Sequence, residues 1–350
     1  SLHAKFVAPD STQKAEWAAA IEADLKWLDK LQSEHVKPPS IETVKPLLPH
    51  REKCPDHSKL VMPSFAVARK VPKGEWKTEE AQKAIAEEVI KQTTAPWPKC
   101  SVRNPTGKGQ GTWYVESVRE EKSVTDESKA EGTTIHLAYG CMLLYEKGSE
   151  LPKGHEDRKT KARTVLLGND VKDAWFQEAE MEGLGSAPPA MEDNRALDVK
   201  SLQPGYTQSD TDAESAYLQE YLKAKHVTWF HPPVEFWPAH WHGKYYKPVC
   251  ILKLALYGHA DSGGYWEEKS YGDAQLCGWK PVQDRRGVFH KEKEDARMMV
   301  YVDDFKMSCK IEDEDRLGKQ LQARIRLSPY KRSDRYLGCY SKKFTAPVKL

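Results

Sequence analysis

The chain has 350 residues, of which 39% are apolar and 30% charged, and its 54 basic and 52 acidic residues give a net charge of +2. This balance excludes a polycation or an acidic tail, so any surface that binds nucleic acid must be local. The longest uncharged apolar run, 135–145, is shorter than the roughly 18 residues of a membrane span, and the first residues lack the apolar segment of a signal peptide.

Seven cysteines are spread along the chain without a Cys-x-x-Cys pair. This spacing disfavours a disulfide framework and a zinc finger, and it favours a reducing compartment. The sequence therefore predicts an intracellular protein, cytoplasmic or nuclear and not secreted, that has no membrane partner.

The N-terminal part predicts two helices separated by an extended segment. An amphipathic helix is predicted over 10–32, a Pro-rich linker over 37–63, and a second helix over 78–92. Residues 93–133 are polar and rich in Gly and Pro without a sustained period, so we interpret them as part of an insert of uncertain order. The predicted organisation here is a helix and linker over 1–60 and an insert over 61–134.

From residue 135 onward, apolar runs become frequent. Strands are predicted over 135–145 and 164–167, a helix over 213–224, and a strand-like run over 249–257. The aromatic residues between the predicted helix over 213–224 and the run over 249–257 could stack on bases, but packing in a core is the favoured interpretation. They are Trp229, Phe230, Phe236, Trp237 and Trp241.

Two short apolar runs, Met298–Val302 and Phe305–Cys309, are separated only by Asp303 and Asp304, which predicts a β-hairpin with the two acids at its turn. A helix marked by Leu317, Leu321 and Ile325 follows the hairpin. Adjacent carboxylates repel each other, and one reason to place them together is to hold divalent metal. The alternative is a solvated turn, since Asp is a common turn residue.

Segments with characteristic motifs follow one another in a fixed order along the chain. They are Glu16-Trp17-Ala18-Ala19-Ala20-Ile21 with Leu25, Lys161-Ala162-Arg163-Thr164-Val165, Asp212-Ala213-Glu214-Ser215-Ala216-Tyr217-Leu218-Gln219, Pro232-Pro233 with Phe236, Val249-Cys250-Ile251-Leu252-Lys253, Ala255-Leu256-Tyr257-Gly258, Trp266-Glu267, Gly278-Trp279, Val300-Tyr301-Val302-Asp303-Asp304 and Tyr336-Leu337-Gly338. In this order they resemble the reverse transcriptase domain of copia-type LTR retrotransposons, a retrovirus-related Pol polyprotein. The resemblance covers roughly 135–345 well and 10–32 weakly, but not 70–130.

The resemblance implies an α+β fold, the right-hand polymerase with fingers over 135–211 and a palm over 212–350, some fingers elements being interleaved. The palm would be an antiparallel sheet, and the thumb would be missing. The implied function is RNA-directed DNA polymerase activity, with two-metal transfer of a nucleotide to a primer 3′-end. The implied partners are an RNA or DNA template with primer and deoxynucleoside triphosphates. The implied cofactors are two Mg²⁺ or Mn²⁺ ions.

The resemblance also assigns site residues. Asp212, Asp303 and Asp304 match the three catalytic, metal-binding carboxylates. The substrate-binding positions would be Tyr217 under the incoming sugar with its neighbour Ala216, Tyr257 and Gly258 against the nascent base pair, and Lys161 and Arg163 as triphosphate contacts. Ordinary surface charge on a strand is the alternative for the two basic residues.

The sequence departs from the family at 260–264, where Ala260-Asp261-Ser262-Gly263-Gly264 replaces a more basic stretch. Acidic charge there is unfavourable near nucleic acid unless it is paired, and the two glycines would let backbone approach the substrate closely. Two alternatives therefore stay open: an inactive nucleic-acid-binding remnant of such an element, and a scaffold protein in which the acidic pair is only a turn.

Two further features have alternative interpretations. Residues 316–350 contain ten basic residues and one acidic residue, which suits contact with phosphates, although a solvated helix face would show the same pattern. The run Gly107-Lys108-Gly109-Gln110-Gly111 resembles a phosphate loop but lacks the flanking strand and helix, so a polar turn is favoured.

Overall fold

A computed structural model describes residues 68–99, 104, 106–333, 335–337, 339 and 340. The predicted helix over 10–32 and the Pro-rich linker lie outside the described residues. The described part of the chain forms a mixed α+β fold with two six-stranded sheets. None of its helices is both long and apolar enough to cross a membrane.

The elements are numbered in chain order. The α-helices are α1 Glu79–Thr94, α2 Glu121–Glu131, α3 Met191–Lys200, α4 Ser262–Leu276 and α5 Glu314–Gln322. The strands are β1 Ala68–Lys70, β2 Trp113–Glu120, β3 Ile135–Lys147, β4 Lys159–Leu166, β5 Tyr206–Asp212, β6 Val227–His231, β7 Pro248–Leu252, β8 Lys280–Pro281, β9 Val288–Lys291, β10 Ala296–Tyr301, β11 Asp304–Lys310, β12 Lys331–Arg332, β13 Arg335–Tyr336 and β14 Cys339–Tyr340.

The first sheet has the order β1-β3-β6-β7-β2, and β4 also pairs with β3. The long strand β3 runs parallel to β6 and antiparallel to β1 and β4. Helix α1 covers the free edge of β4, where the buried Glu88 carboxylate accepts a hydrogen bond of 2.7 Å from the Thr164 backbone N–H. The aromatic run 229–241 is largely core, since Trp229, Phe230, Phe236 and Trp241 are buried, as the packing interpretation predicts.

The second sheet has the order β12-β5-β11-β10-β9-β8, and all of its pairs are antiparallel. Residues alternate between its two faces along each strand. Phe305 and Met307 of β11 point to one face, where they form a core with Leu317 and Leu321 of α5 and with residues of α4. Lys306 points to the other face, which α3 covers.

Several sequence predictions agree with the structure. The helix predicted over 78–92 is α1, and its N-cap Thr78 accepts a hydrogen bond from the Ala81 backbone N–H. The strands predicted over 135–145 and 164–167 are β3 and β4, although β4 begins five residues earlier, at Lys159. The hairpin is β10–β11, and the helix after it is α5.

The predicted helix over 213–224 is wrong. The chain leaves β5 at Asp212, makes one short 3₁₀ helix over Ala216–Gln219, and returns to an extended form in which Tyr221 bridges Leu254. Ser215 has a left-handed backbone with φ 53°, which interrupts any continuous helix. The strand-like run predicted over 249–257 likewise ends at Leu252 as a strand.

The stretch 93–133 contains regular structure that its sequence pattern does not reveal. Strand β2 joins the edge of the first sheet beside β7, and α2 follows it directly. A register shift between Tyr114 and Arg119 breaks the alternation of β2. Most of the residues that helix α2 buries are polar, so its sequence shows no apolar period. The buried residues are Glu121, Val124, Thr125 and Ser128.

Candidate functional site

The candidate site is built around the β10–β11 turn. The turn residues are Val302 and Asp303, not Asp303 and Asp304 as the sequence suggested, because Tyr301 pairs with Asp304 in the ladder. Val302 has φ 57°, an uncommon conformation for a β-branched residue. Its carbonyl accepts a 2.7 Å hydrogen bond from the Trp266 indole N–H of α4, which fixes the turn from one side.

Strand β5 fixes the turn from the other side. The Ala213 backbone N–H donates a 2.7 Å hydrogen bond to the Asp303 carbonyl, and Asp212 pairs directly with Asp304 across the β5–β11 ladder. Directly paired residues project to the same face of a sheet. Three acidic residues that sequence reasoning assigned to one site are therefore neighbours at one end of this sheet.

The electrostatics of the three carboxylates are unfavourable as they stand. Burial first, then a hydrogen bond with the Asp212 carboxyl and the negative charges of Asp303, Asp212 and Asp210, together raise the pKa of Asp304 to about 7. Like charges held together favour the protonated form of one of them. The protonated form of Asp304 is favoured, and it would donate its proton in the hydrogen bond to Asp212.

The three carboxylates have the chemistry of ligands for a hard cation, but their side chains are not arranged as a metal site. Mg²⁺ and Mn²⁺ prefer carboxylate oxygens, and three carboxylates meet at this turn. Among the described residues, however, no group of three or more His, Cys, Asp or Glu side chains is arranged to hold a metal ion. Asp212 and Asp304 contact each other, while Asp303 acts on Asp304 through its charge.

A pair of tyrosines lies beside the acidic turn. The ring centroids of Tyr217 and Tyr257 are 4.6 Å apart, and the Arg163 guanidinium of β4 lies 4.9 Å from the Tyr257 ring centroid. Burial, and after it the charge of Asp303, raises the pKa of Tyr257 to about 12, and the same two causes raise the pKa of Tyr217. The structure thus brings Tyr217, Tyr257, Arg163 and Asp303 together.

Gly258 and Ala216 have packing roles in the structure. Gly258 has φ +94°, and a Cβ there would lie 1.9 Å from the Leu166 carbonyl oxygen. A Cβ on Gly168 would lie 2.0 Å from the Gly258 carbonyl oxygen, so two backbone segments touch at this point. Ala216 is fully buried in the core of the second sheet, and its neighbour Tyr217 is the residue beside the turn.

Lys161 and Arg163 are exposed at alternate positions of β4 with Lys159, and therefore on one side of the strand. Burial lowers the pKa of Lys161, and so does repulsion from neighbouring cations, including Lys147 and Lys159. This basic strip, defined as Lys159, Lys161 and Arg163, is positioned to attract an anion beside the tyrosine pair.

The unusual segment 260–264 is explained by packing. The Asp261 carboxylate accepts hydrogen bonds from the backbone N–H groups of Glu182 and Leu184, at 3.1 and 2.8 Å, so its negative charge is paired. Added Cβ atoms on Gly263 and Gly264 would lie 2.6 Å from Ser186 Oγ and Leu184 Cβ. The glycines admit the 182–186 segment against α4.

Two polar residues near the site were missed from the sequence. His259 follows the Tyr257-Gly258 pair, is buried, and accepts a 3.2 Å hydrogen bond at Nδ1 from the Asp261 backbone N–H. Lys306 is fully buried two residues after Asp304, and its ammonium donates to Asn194 Oδ1 and Asp198 Oδ1, each at 2.6 Å. The only sequence signal for Lys306 is a charged residue at an interior position of a predicted strand.

The basic C-terminal stretch is partly neutralised within the fold. Arg316 pairs with Asp313 and Glu294, Lys319 pairs with Asp315, and Lys331 lies 3.4 Å from the buried Asp210 carboxylate. These pairs reduce the positive charge that the stretch offers to phosphates.

Comparisons with known proteins do not establish a family for this chain. No protein-family model matches the sequence, and no curated protein matches it. One similar solved structure is that of the foamy viral protease-reverse transcriptase dRH in complex with double-stranded DNA, with a TM-score of 0.30 and 14% sequence identity. The match covers 69% of this chain, and the chain spans 34% of the foamy viral chain.

Proposed function

We propose that this chain is an RNA-directed DNA polymerase domain of the retrotransposon kind. In this proposal the first sheet with α1 and α2 belongs to the fingers and the second sheet with α3 to α5 forms the palm. The observation that carries the proposal is the pairing of Asp212 with Asp304, with Asp303 at the adjoining turn. Asp212 is far from the adjacent Asp303 and Asp304 in the sequence, and no local rule of strand formation would bring it to them at one sheet end.

The three carboxylates would hold two Mg²⁺ or Mn²⁺ ions, which supply activation of a hydroxyl and neutralisation of phosphate charge when bound. Burial is the largest cause of the raised pKa of Asp304, and the negative charges of its neighbours add to it; a bound cation would relieve that repulsion. Metal binding would require a change in the positions of these side chains, because the described carboxylates are not arranged as a metal site.

The surrounding residues would position a deoxynucleoside triphosphate. The basic strip on β4 would bind the phosphates, with Arg163 also stacked on Tyr257. The Tyr217 ring would lie against the sugar, and the Tyr257-Gly258 segment would support the base pair. In the reaction, the primer 3′-oxygen forms a bond to the α-phosphorus while the bond to the pyrophosphate oxygen breaks; pyrophosphate leaves and the hydroxyl proton passes to solvent water.

Primer extension on a heteropolymer RNA template, with a labelled DNA primer and Mg²⁺ or Mn²⁺, tests the proposal. We expect extension by the wild-type chain and a loss of about 100-fold or more in the variant Asp303→Asn. The matched control is Asp284→Asn, which removes the charge of an exposed acid in the turn between β8 and β9. Equal extension by the wild type and Asp303→Asn would exclude the carboxylates from catalysis.

The arrangement of the acids favours one alternative function. Since the carboxylates do not form a metal site as they stand, the chain could be a remnant that binds nucleic acid without turnover. Tight binding of primer-template together with no extension in either metal would support that alternative.

A further inference from the structure

An aromatic and basic surface lies on the first sheet, outside the site described above. It consists of Trp97, which follows α1, Tyr114 of β2 and Lys253, which follows β7. The Lys253 ammonium lies 5.9 Å from the Trp97 ring centroid and 5.5 Å from that of Tyr114. The two rings meet edge to face with centroids 6.3 Å apart. We call these three residues the aromatic platform.

The glycine-rich run 107–111 holds the platform in place. The Trp97 indole N–H donates a 2.7 Å hydrogen bond to the Gly111 carbonyl, and the Trp97 backbone N–H donates to the Gly109 carbonyl at 3.1 Å. Gly109 has φ +111°, and a Cβ there would lie 2.1 Å from a ring atom of Trp97. The run is therefore a turn that packs against an indole ring, as the polar-turn interpretation implies, and its glycines permit that contact.

The sequence around the platform is predominantly basic. The segment 95–116 contains three basic residues, Lys99, Arg103 and Lys108, and one acidic residue, the exposed Glu116, in a chain whose basic and acidic residues are nearly equal in number. Lys99 and Lys108 are exposed, and Tyr114 exposes 41% of its surface. Trp97 is half-buried, so Tyr114 offers the more accessible ring. Accessible aromatic rings among predominantly basic residues suit an unpaired nucleic-acid strand, which binds through stacking and phosphate contact.

Short connections link the platform to the tyrosine pair. The Tyr221 hydroxyl, one 3₁₀ turn beyond Tyr217, donates a 3.0 Å hydrogen bond to the carbonyl of Pro98, next to Trp97. Lys253 precedes Tyr257 by four residues in the same connection. A strand bound at the platform would therefore lie near the proposed nucleotide pocket.

We propose that the aromatic platform binds the unpaired strand of a nucleic acid by stacking its bases on Tyr114 and Trp97. The proposal rests on the proposed function for its biological meaning, as the template ahead of the nucleotide, but its binding chemistry is separate. A protein partner with an acidic segment would bind the cations but would not stack on the rings. An experiment that removes only the bases or only a ring can therefore distinguish such a partner from a nucleic-acid strand.

The test compares two probes of equal charge on the full chain, without metal or nucleotides. One is a labelled oligothymidylate, and the other is an abasic oligonucleotide of the same length, which has the phosphates but no bases. Fluorescence anisotropy should show tighter binding of oligothymidylate, and Tyr114→Ala should weaken it about tenfold while leaving abasic binding unchanged. Tyr114 is the first choice because its ring is the more exposed of the two, and Trp97→Phe is a second variant that keeps a ring against Gly109.

Tyr246→Ala is the matched control, since Tyr246 is 85% exposed in the loop before β7, and it should bind both probes as the wild type does. The variant Asp303→Asn should keep the full preference for bases, so a failure of the polymerase proposal would not be mistaken for a failure of this one. Equal affinity of the wild type for both probes would overturn the proposal. So would displacement of the oligothymidylate by polyglutamate in wild type and Tyr114→Ala alike, which would indicate an acidic protein segment as the partner.

Discussion

Tyr217 is the residue at which the proposed selection of sugar can be examined most directly. Its ring lies between the Tyr257 ring and the core around Ala216, so it has a fixed position beside the acidic turn. A fixed ring in that place would exclude a 2′-hydroxyl by contact rather than by hydrogen bonding.

We expect Tyr217→Val to raise the use of ribonucleotides relative to deoxyribonucleotides by about tenfold or more, because a smaller side chain leaves room for the 2′-oxygen. Single-nucleotide extension with each triphosphate measures the ratio. Tyr217→Phe keeps the ring and should keep the wild-type ratio. An unchanged ratio in an active Tyr217→Val variant would remove the steric role.

His259 makes the fold sensitive to acid. Burial lowers the pKa of His259 to about 4, and the Asp261 N–H bonded to Nδ1 is incompatible with a proton there. An unfolded histidine takes up its proton near pH 6.5. Between pH 6.5 and 4 the unfolded chain therefore binds a proton that the native chain does not, so stability falls as the pH falls through this window.

We expect His259→Asn to reduce this loss by up to about 3 kcal/mol between pH 7 and pH 4.5, because Asn Oδ1 can accept the same hydrogen bond without titrating. Urea unfolding at the two pH values measures the difference. His155→Asn, at an exposed loop position, should retain the wild-type loss. A variant of His259 that loses stability as steeply as the wild type would show that the ring is solvated on protonation.

At the scale of elements, helix α3 depends on one buried cation. Lys306 reaches from β11 to Asn194 and Asp198 of α3, and its ammonium lies 4.9 Å from the Tyr336 ring centroid. Leu197 of α3 and Met299 of β10 add an apolar contact on the same face. The lysine therefore positions a helix on the sheet face that holds the acidic residues.

Lys306→Met should lower the free energy of unfolding by about 2–4 kcal/mol, since it leaves the buried Asn194 amide oxygen without the lysine donor and removes the cation from the Asp198 carboxylate, which keeps only the Gln208 amide donor. Lys310→Met, a partly exposed lysine on the same strand face, should change it by less than about 1 kcal/mol. Urea titration compares the two variants. A similar small effect in both would mean that α3 is held by its apolar contacts alone.

Sequence reasoning found the elements whose apolar spacing is regular. Helix α1 and the β10–β11 hairpin have such spacing, and the acidic turn could be located from it. The connection after Asp212 could not, because its buried residues Ala213, Ala216, Leu218 and Tyr221 follow neither a helical nor a strand period once Ser215 reverses the chain. The pairing of Asp212 with Asp304 is tertiary, and only the motif resemblance anticipated it.

At the scale of the whole molecule, a net charge of +2 means that attraction to nucleic acid depends on local clusters. The basic strip on β4 is the best placed of these, because it lies beside the tyrosine pair. Many lysines elsewhere are paired within the fold, such as Lys122 with Asp126 and Lys319 with Asp315.

We expect the double variant Lys159→Gln/Lys161→Gln to reduce the slope of log affinity against log salt for primer-template by about 2, because each lysine that neutralises a phosphate adds about one to that slope. The paired lysines supply the control, since Lys122→Gln/Lys319→Gln should leave the slope unchanged. Anisotropy over a range of salt concentrations measures both. Equal slopes for the two double variants would mean that other residues neutralise the phosphates.

The backbone contact between Gly168 and Gly258 has a consequence for how variation in this protein is interpreted. In a saturation library selected for function, both positions would reject every side chain, because a Cβ at either one meets a carbonyl oxygen at about 2 Å. Their intolerance would equal that of an acid that performs chemistry, although neither glycine carries a reactive group. A selection for folding alone, scored beside one for synthesis, would separate the two kinds of position: the glycines would fail both, and Asp303 only the second.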